Sequence, residues 1–227
     1  MANKAMKYRA YPTTEQAIMF IKTFGCCRKV YNLMLNDKIK SYKATGKFAS
    51  VTPARYKKDY PFLKEVDSLA LANVQLNLQS AFRNCFSKSR KKKFGFPKYK
   101  SAKRSRKAYT TNNQKGTVAI IDNNYIKLPK VGKVKAVIHR IPDNNWNIKS
   151  ATISQESDGK YYISILFGFD NIISPYVADT TNAVGLDYAS DGLYVDDKGN
   201  TGTNHKYYRE SHKKLAKAQR RLSRMQG

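Results

Sequence analysis

The sequence predicts an α+β chain: a small antiparallel β-barrel interrupted by an inserted helical module, then a β-hairpin leading into a cationic helix. Three observations predict it. Residues 5–12 and five segments between 117 and 169 alternate apolar and polar side chains, the period of two of a half-buried strand. Between them, residues 13–87 repeat apolar side chains at helical spacing and carry helix-start signals. Near the C-terminal end, Ala183-Val184-Gly185-Leu186-Asp187-Tyr188-Ala189 and Leu193-Tyr194-Val195 read as two apolar strands joined through Asp191-Gly192, with a carboxylate, Asp187, inside the first.

Each element has a local cause. In Ala5-Met6-Lys7-Tyr8-Arg9-Ala10-Tyr11-Pro12 the cations share one face, and Pro12 ends the strand. Thr13 with Gln16 is a capping box; Ala17, Ile21 and Phe24 mark one face of a first helix, which Gly25 is expected to end. A second helix is expected over 26–44, with Cys27, Val30, Tyr31 and Met34 on one side. After a break at Thr45-Gly46-Lys47, Pro53 reads as the first residue of a short helix and Pro61 as its close. From Asp67-Ser68 a helix runs to about 87. Leu69, Ala72 and Leu76 form one stripe and Leu71, Val74, Leu78 and Phe82 another, the pattern of a helix buried on more than one side.

The strands follow: 117–121 and 125–128 around Asp122-Asn123-Asn124, then 133–138, 148–156 and 160–169, the last two joined by Ser157-Asp158-Gly159. With the first strand they make six, enough for a small barrel. Residues 206–226 read as a cationic helix with Leu215, Ala218, Leu222 and Met225 at heptad-like spacing, ending without a cap as if cut mid-element.

The 227 residues predict one or two domains. Hydrophobic residues at 41% and aromatics at 12% exclude a disordered chain. The 43 Lys+Arg against 16 Asp+Glu, a formal net charge of +27, and a pI near 10.0 point to a polyanionic partner. No apolar run approaches the roughly 18 residues of a membrane-spanning helix, and the N-terminus lacks a signal-peptide core. Nucleic acid is therefore expected rather than membrane, in a cytoplasmic protein. Cys26, Cys27 and Cys85 are too few and wrongly spaced for zinc and read as small buried residues. His139, His205 and His212 are too scattered for a metal cluster or a triad.

Between Lys88 and Lys107 stand eleven Lys or Arg and no acid. Such a block repels itself and stays extended until a polyanion neutralises it. Its alternatives are a solvated linker and a nucleic-acid clamp, and Phe94-Gly95-Phe96-Pro97-Lys98-Tyr99-Lys100, with aromatics among cations, favours the clamp. Lys91, Lys92, Lys93, Lys98, Tyr99 and Lys100 are its candidate contacts. Short amide and hydroxyl side chains read base edges while cations on phosphates position the complex. Asn73 in the long helix and Tyr109, Thr110, Thr111 and Asn112 beyond the basic block are candidates for that reading, with an interhelical bond and plain strand residence as their alternatives. Tyr56 is the next candidate, and Arg220 and Arg221 stand on the cationic helix.

An Asp inside an apolar strand that opens a hairpin resembles the start of RNase H-like nucleases, where such an Asp binds catalytic Mg²⁺. A two-metal site needs further carboxylates to hold ions roughly 3.5–4 Å apart, and in that fold they would lie beyond residue 227. More of the chain resembles one family. Cys27-Arg28-Lys29-Val30-Tyr31-Asn32, Gly95-Phe96-Pro97-Lys98-Tyr99-Lys100, Tyr109-Thr110-Thr111, Ile126-Lys127-Leu128-Pro129-Lys130-Val131-Gly132 and Gly185-Leu186-Asp187 occur in the order of the N-terminal half of TnpB. TnpB is the transposon-encoded RNA-guided DNA endonuclease related to type V CRISPR effectors.

The resemblance implies a wedge β-barrel from 1–12 plus 105–180, a helical recognition module over 13–104, and the first segment of a RuvC-like domain over 183–227. It implies a non-coding guide RNA and double-stranded target DNA with a short adjacent motif as partners, Arg28, Tyr31 and Asn32 among the nucleic-acid contacts, and Asp187 as catalytic and Mg²⁺-binding. No zinc is expected within this chain. It implies a prokaryotic protein, nucleoid-associated when on DNA. A chain ending at Gly227 is expected to cut nothing alone: it reads as a truncated nuclease, a short form that binds without cutting, or one piece completed by a C-terminal fragment of the same protein. A basic structural RNA-binding protein is the reading from another class. A sequence-specific transcription factor is disfavoured, because no short helix-turn-helix with exposed base-reading side chains stands out.

Overall fold

Strand-period alternation becomes one antiparallel sheet in the computed structural model, which describes residues 2–87, 94–170, 183–189 and 192–225. The chain divides into two units, Met1–Ile172 and Ile173–Gly227. The first contains β1 (Ala2–Tyr11), α1 (Thr14–Thr45), α2 (Ser68–Phe86), β2 (Lys107–Asn112), β3 (Ala119–Ile121), β4 (Tyr125–Leu128), β5 (Gly132–Val137), β6 (Asn147–Gln155) and β7 (Tyr161–Phe169). Its sheet runs β2-β6-β7-β1-β5-β4-β3. The strand before the helices is therefore central, with Tyr8 opposite Ile163 on β7 and Ala10 opposite Ala136 on β5.

The two edge strands, β2 and β3, are joined by only six residues, and these fold back through a turn in which the Thr117 amide donates to the Gln114 carbonyl at 3.2 Å. In a flat sheet six interstrand steps of about 4.8 Å would separate those edges by roughly 29 Å. A link folded on itself cannot span that distance, since even a fully extended residue advances only about 3.5 Å. The sheet is therefore curled. Its edges do not pair with each other among the described residues, so the expected closed barrel is corrected to a half-barrel.

The expected strands all form, and a seventh, β2, joins them. Lys107-Ala108-Tyr109-Thr110-Thr111-Asn112 looks polar in sequence, yet Tyr109 and Thr111 alternate into the core. Asp122 and Asn123 take φ of 50° and 51°, left-handed central residues of a turn closed by the Asn124 amide on the Ile121 carbonyl at 3.2 Å, within the three-residue link from β3 to β4.

Two helical expectations need correction. The first helix is not broken at Gly25: α1 is continuous, opened by the Thr13–Gln16 capping box and closed by Gly46 at φ 70°. A buried stripe from Phe20, Thr23 and Phe24 through Cys27, Val30, Tyr31, Met34 and Leu35 outweighs the roughly 1 kcal/mol that a mid-helix glycine costs. That stripe excludes Ile21, which is 54% exposed. Pro61 does not close the turn begun at Pro53; Pro53–Lys57 and Pro61–Lys64 are two separate 3₁₀ turns, each with proline at its start.

α2 begins as expected on the Asp67 cap, and only its Leu71, Val74, Leu78 and Phe82 stripe is buried together with Ala70. Ala72 and Leu76 face outward. The helices meet the sheet through aromatics: Phe20 lies 5.6 Å from Tyr161 and 6.4 Å from Tyr109, and Phe24 lies 5.7 Å from Tyr109.

The second unit holds β8 (Leu186–Asp187), β9 (Val195–Asp196) and α3 (Tyr207–Met225). Leu186 pairs with Asp196 and Asp187 with Val195. Leu186 and Tyr188 are 65% and 76% exposed, and Leu215, Leu222 and Met225 on α3 are exposed as well. Asp191, expected in the hairpin turn, lies outside the described residues.

Candidate nucleic-acid interface

Burying α1 and α2 against β2 leaves a groove where the three elements and the basic segment converge. It is lined by Arg28 and Cys27 of α1, Asn73 and Asn77 of α2, and Lys100, Arg106, Lys107, Tyr109 and Thr110. Among the described residues, four cations and two amides thus line one groove and no carboxylate does. The sequence explains the sign, since no Asp or Glu occurs between Asp67 and Asp122.

The segment beside the groove is held by side chains of α1 and α2. Asn32 uses both halves of its amide on one residue, donating to the Lys100 carbonyl at 2.9 Å and accepting from the Lys100 amide at 2.8 Å. The Lys100 ammonium sits 4.3 Å from the Tyr31 ring centroid, Tyr99 donates to Asn36 Oδ1 at 3.4 Å, and Phe96 meets Phe82 edge-on at 5.4 Å. Loss of solvation holds the Lys100 amine below the usual lysine range, against a smaller upward pull from Cys27. A partly desolvated cation beside amides is a ready partner for phosphate, because the protein has already stripped part of its water.

The sequence candidates separate into three groups. Arg28, Asn73, Lys100, Tyr109 and Thr110 are gathered at the groove. Asn73 donates its amide NH₂ to the Leu69 carbonyl at 3.0 Å, a local bond within α2. Thr110 shares a 2.8 Å bond with Thr152 on β6, strand residence combined with a place on the groove wall.

A second group is taken up by the fold. Tyr31 is 6% exposed under Lys100, and Asn32 is spent on the Lys100 backbone. Tyr56 is 5% exposed and donates to Asp37 at 2.8 Å; burial first, then that bond, push its hydroxyl well above the usual range. Thr111 is fully buried and donates to Asp67 Oδ2, so its hydroxyl is directed inward, away from any base.

In the third group, Lys98, Tyr99 and Asn112 are not among the residues that line the groove. Lys98 and Tyr99 are exposed beside the groove segment, Asn112 ends β2, and Arg220 and Arg221 are exposed on α3. Lys91, Lys92 and Lys93 lie outside the described residues. Sequence reading missed Asn77 and Arg106. Asn77 stands four residues after Asn73, the spacing that puts two side chains on one helix face, so the signal was present.

Cys26 and Cys27 are buried as expected, whereas Cys85 is only half-buried. Burial pushes the Cys27 thiol up to about 12 and raises Cys26 too, so neither offers a thiolate near neutrality.

Asp187 belongs to the second unit. Its Oδ1 accepts from the Tyr188 amide at 2.8 Å and its side chain is exposed. On the paired strand Asp196 is occupied as a turn residue, accepting from the Lys198 and Asn200 amides and from Asn200 Nδ2 at 2.7 Å, and the Asn200 side chain holds its carboxyl below the usual range. No group of three or more His, Cys, Asp or Glu that could hold a metal ion forms among the described residues. A site with fewer than three grouped donors among the described residues does not supply the donor set of a two-ion centre. No described helix is long and apolar enough to cross a membrane.

A helix-turn-helix domain family matches residues 1–47, which in this structure are a strand and one unbroken helix. A putative RNA-guided DNA endonuclease of Streptomyces pristinaespiralis is 33% identical over 229 residues, covering 97% of this chain and 54% of that protein. The putative RNA-guided DNA endonuclease InsQ of Escherichia coli K12 is 29% identical, again over 97% of this chain and 54% of its own length. The chain is TnpB-like. This TnpB-like chain spans about half the length of those two relatives. The virulence protein VsdF of Salmonella dublin is 35% identical over 116 residues, 44% of this chain and 96% of that protein.

Proposed function

We propose that this chain is the guide-RNA-binding and DNA-target-binding part of a transposon-encoded RNA-guided DNA endonuclease. The observation that carries the proposal is the carboxylate-free groove in which Arg28, Asn73, Asn77, Lys100 and Arg106 converge, in a chain matched over 97% of its length by a putative RNA-guided DNA endonuclease. In this reading 1–12 plus 105–180 form the wedge, 13–104 the recognition module and 183–227 the first RuvC-like segment. The partners are a non-coding guide RNA, double-stranded DNA with a short adjacent motif, and a C-terminal nuclease portion.

Cations on phosphates supply affinity, with log affinity for a single strand falling against log salt by about 0.7 per neutralised phosphate. Replacing Lys91, Lys92 and Lys93 together by alanine is expected to flatten the salt dependence of guide-RNA binding by up to about 2 in slope. An unchanged slope and affinity would make the block a solvated linker.

The amides of the groove supply selectivity. The Asn73 oxygen can accept from an exocyclic amine on a base edge, and each good base contact discriminates by about 1–3 kcal/mol. Asn73→Ala should relax the flanking-motif preference in a randomised-site binding assay and leave guide-RNA affinity nearly intact. A motif profile identical to that of the parent protein rejects the role.

Asp187 would supply one Mg²⁺ ligand in the complete nuclease, where the metal provides phosphodiester hydrolysis. Because the described residues gather no such donor set, the 227-residue protein is expected to bind without cutting. Plasmid cleavage by this chain with guide RNA and Mg²⁺, abolished in Asp187→Ala, would overturn that expectation.

A further inference from the structure

The ends of α1 and α2 carry a second feature that the groove does not use. Tyr42 lies flat on Phe48, with centroids 4.7 Å apart and planes at 16°. Phe48 in turn meets Phe82 at 5.0 Å and Phe86 at 5.8 Å, and Phe96 stands edge-on to Phe82. Phe82 anchors the cluster at 9% exposure, while Tyr42, Phe86 and Phe96 remain 52%, 56% and 45% exposed. Three half-open rings on one cluster form an apolar patch of the kind that marks an interaction surface.

Charge identifies what covers it. From Lys38 to Lys58 there are seven cations and no acid, and α2 and Phe96 belong to the acid-free stretch between Asp67 and Asp122. Lys38 holds its ammonium 5.8 Å from the Phe82 ring. Chain segments this rich in cations select a polyanion, and flat exposed rings select a partner that presents flat π-faces. Single-stranded nucleic acid has both properties, whereas a duplex keeps its bases stacked on each other. We propose that the open faces of Tyr42, Phe86 and Phe96 form a stacking platform for unpaired nucleotides. This deepens the nucleic-acid-binding function proposed above and rests on it.

The test compares two synthetic strands matched in length and phosphate number, one with bases and one made of abasic units, titrated against the 227-residue protein by fluorescence anisotropy. The parent protein should prefer the base-bearing strand. Tyr42→Ala and Phe86→Ala should each weaken that strand by about 5- to 100-fold, leaving the abasic affinity and the salt slope unchanged, and Tyr42→Trp should restore the preference. Equal binding of both strands by the parent, or equal losses on both strands in the variants, overturns the platform. So does a change confined to self-association in sedimentation, which would assign the patch to a second copy of the chain. A parent protein that binds neither strand overturns the proposed function itself, which separates the two failures.

Discussion

Phe20→Ala is expected to destabilise the first unit by about 3–5 kcal/mol, the range for deleting a fully buried aromatic side chain. Phe20 has no exposure and is the ring where α1 meets both Tyr109 on β2 and Tyr161 on β7. Its removal opens a void between helix and sheet that neither can fill, because the sheet is curled and tied through β1. Urea unfolding followed by circular dichroism measures the change, with Ile18→Ala as the control on the same helix. Ile18 is 61% exposed and its loss should stay within about 0.5 kcal/mol. A Phe20→Ala effect below about 1 kcal/mol would show that the helix does not rest on that ring. Because Tyr109 lines the groove, Phe20→Ala should also weaken nucleic-acid binding while removing no charge.

Asp67→Ala is expected to cost about 1.5–5 kcal/mol. Asp67 caps α2 by accepting from the Leu69 amide at 3.0 Å and the Ala70 amide at 3.2 Å, and it also accepts from the Thr111 hydroxyl on β2. Losing the cap costs about 0.5–2 kcal/mol. The Thr111 hydroxyl would be left buried without a partner, a further penalty of about 1–3 kcal/mol. Thr111→Val removes that hydroxyl without adding volume. Two residues sharing one bond should not be additive, so the double variant should cost less than the sum of the single ones. Strict additivity in chemical denaturation would mean that the Asp67–Thr111 bond contributes nothing.

The Asp67–Thr111 pair also shows why part of the site was not legible. A Thr in a polar hexapeptide beside a basic block looks available for recognition. Its burial depends on a carboxylate 44 residues earlier, and no local pattern reports that. Tyr31, Asn32 and Tyr56 behave the same way: each carries the chemistry of recognition, and each is taken by a partner that only the tertiary fold supplies. Gly25 shows the converse, a local breaker overridden by a stripe of buried side chains running past it.

What the sequence determined is what depends on short spacing and on composition. The Thr13 and Asp67 caps, the Asp122-Asn123 turn, five of the later strands, the acid-free basic stretch and the order of family motifs all follow from residues near one another in the chain. Their physics is local: a cap, a turn, a pleat or a charge run is complete within a few residues. The tertiary structure alone decided the curl of the sheet, the pairing of β2 with β6, and the gathering of Arg28, Asn73, Asn77, Lys100 and Arg106 around one groove. Those outcomes join residues tens of positions apart. They are set by which apolar faces can be buried together once the chain has closed on itself, and that competition has no signature in a short window.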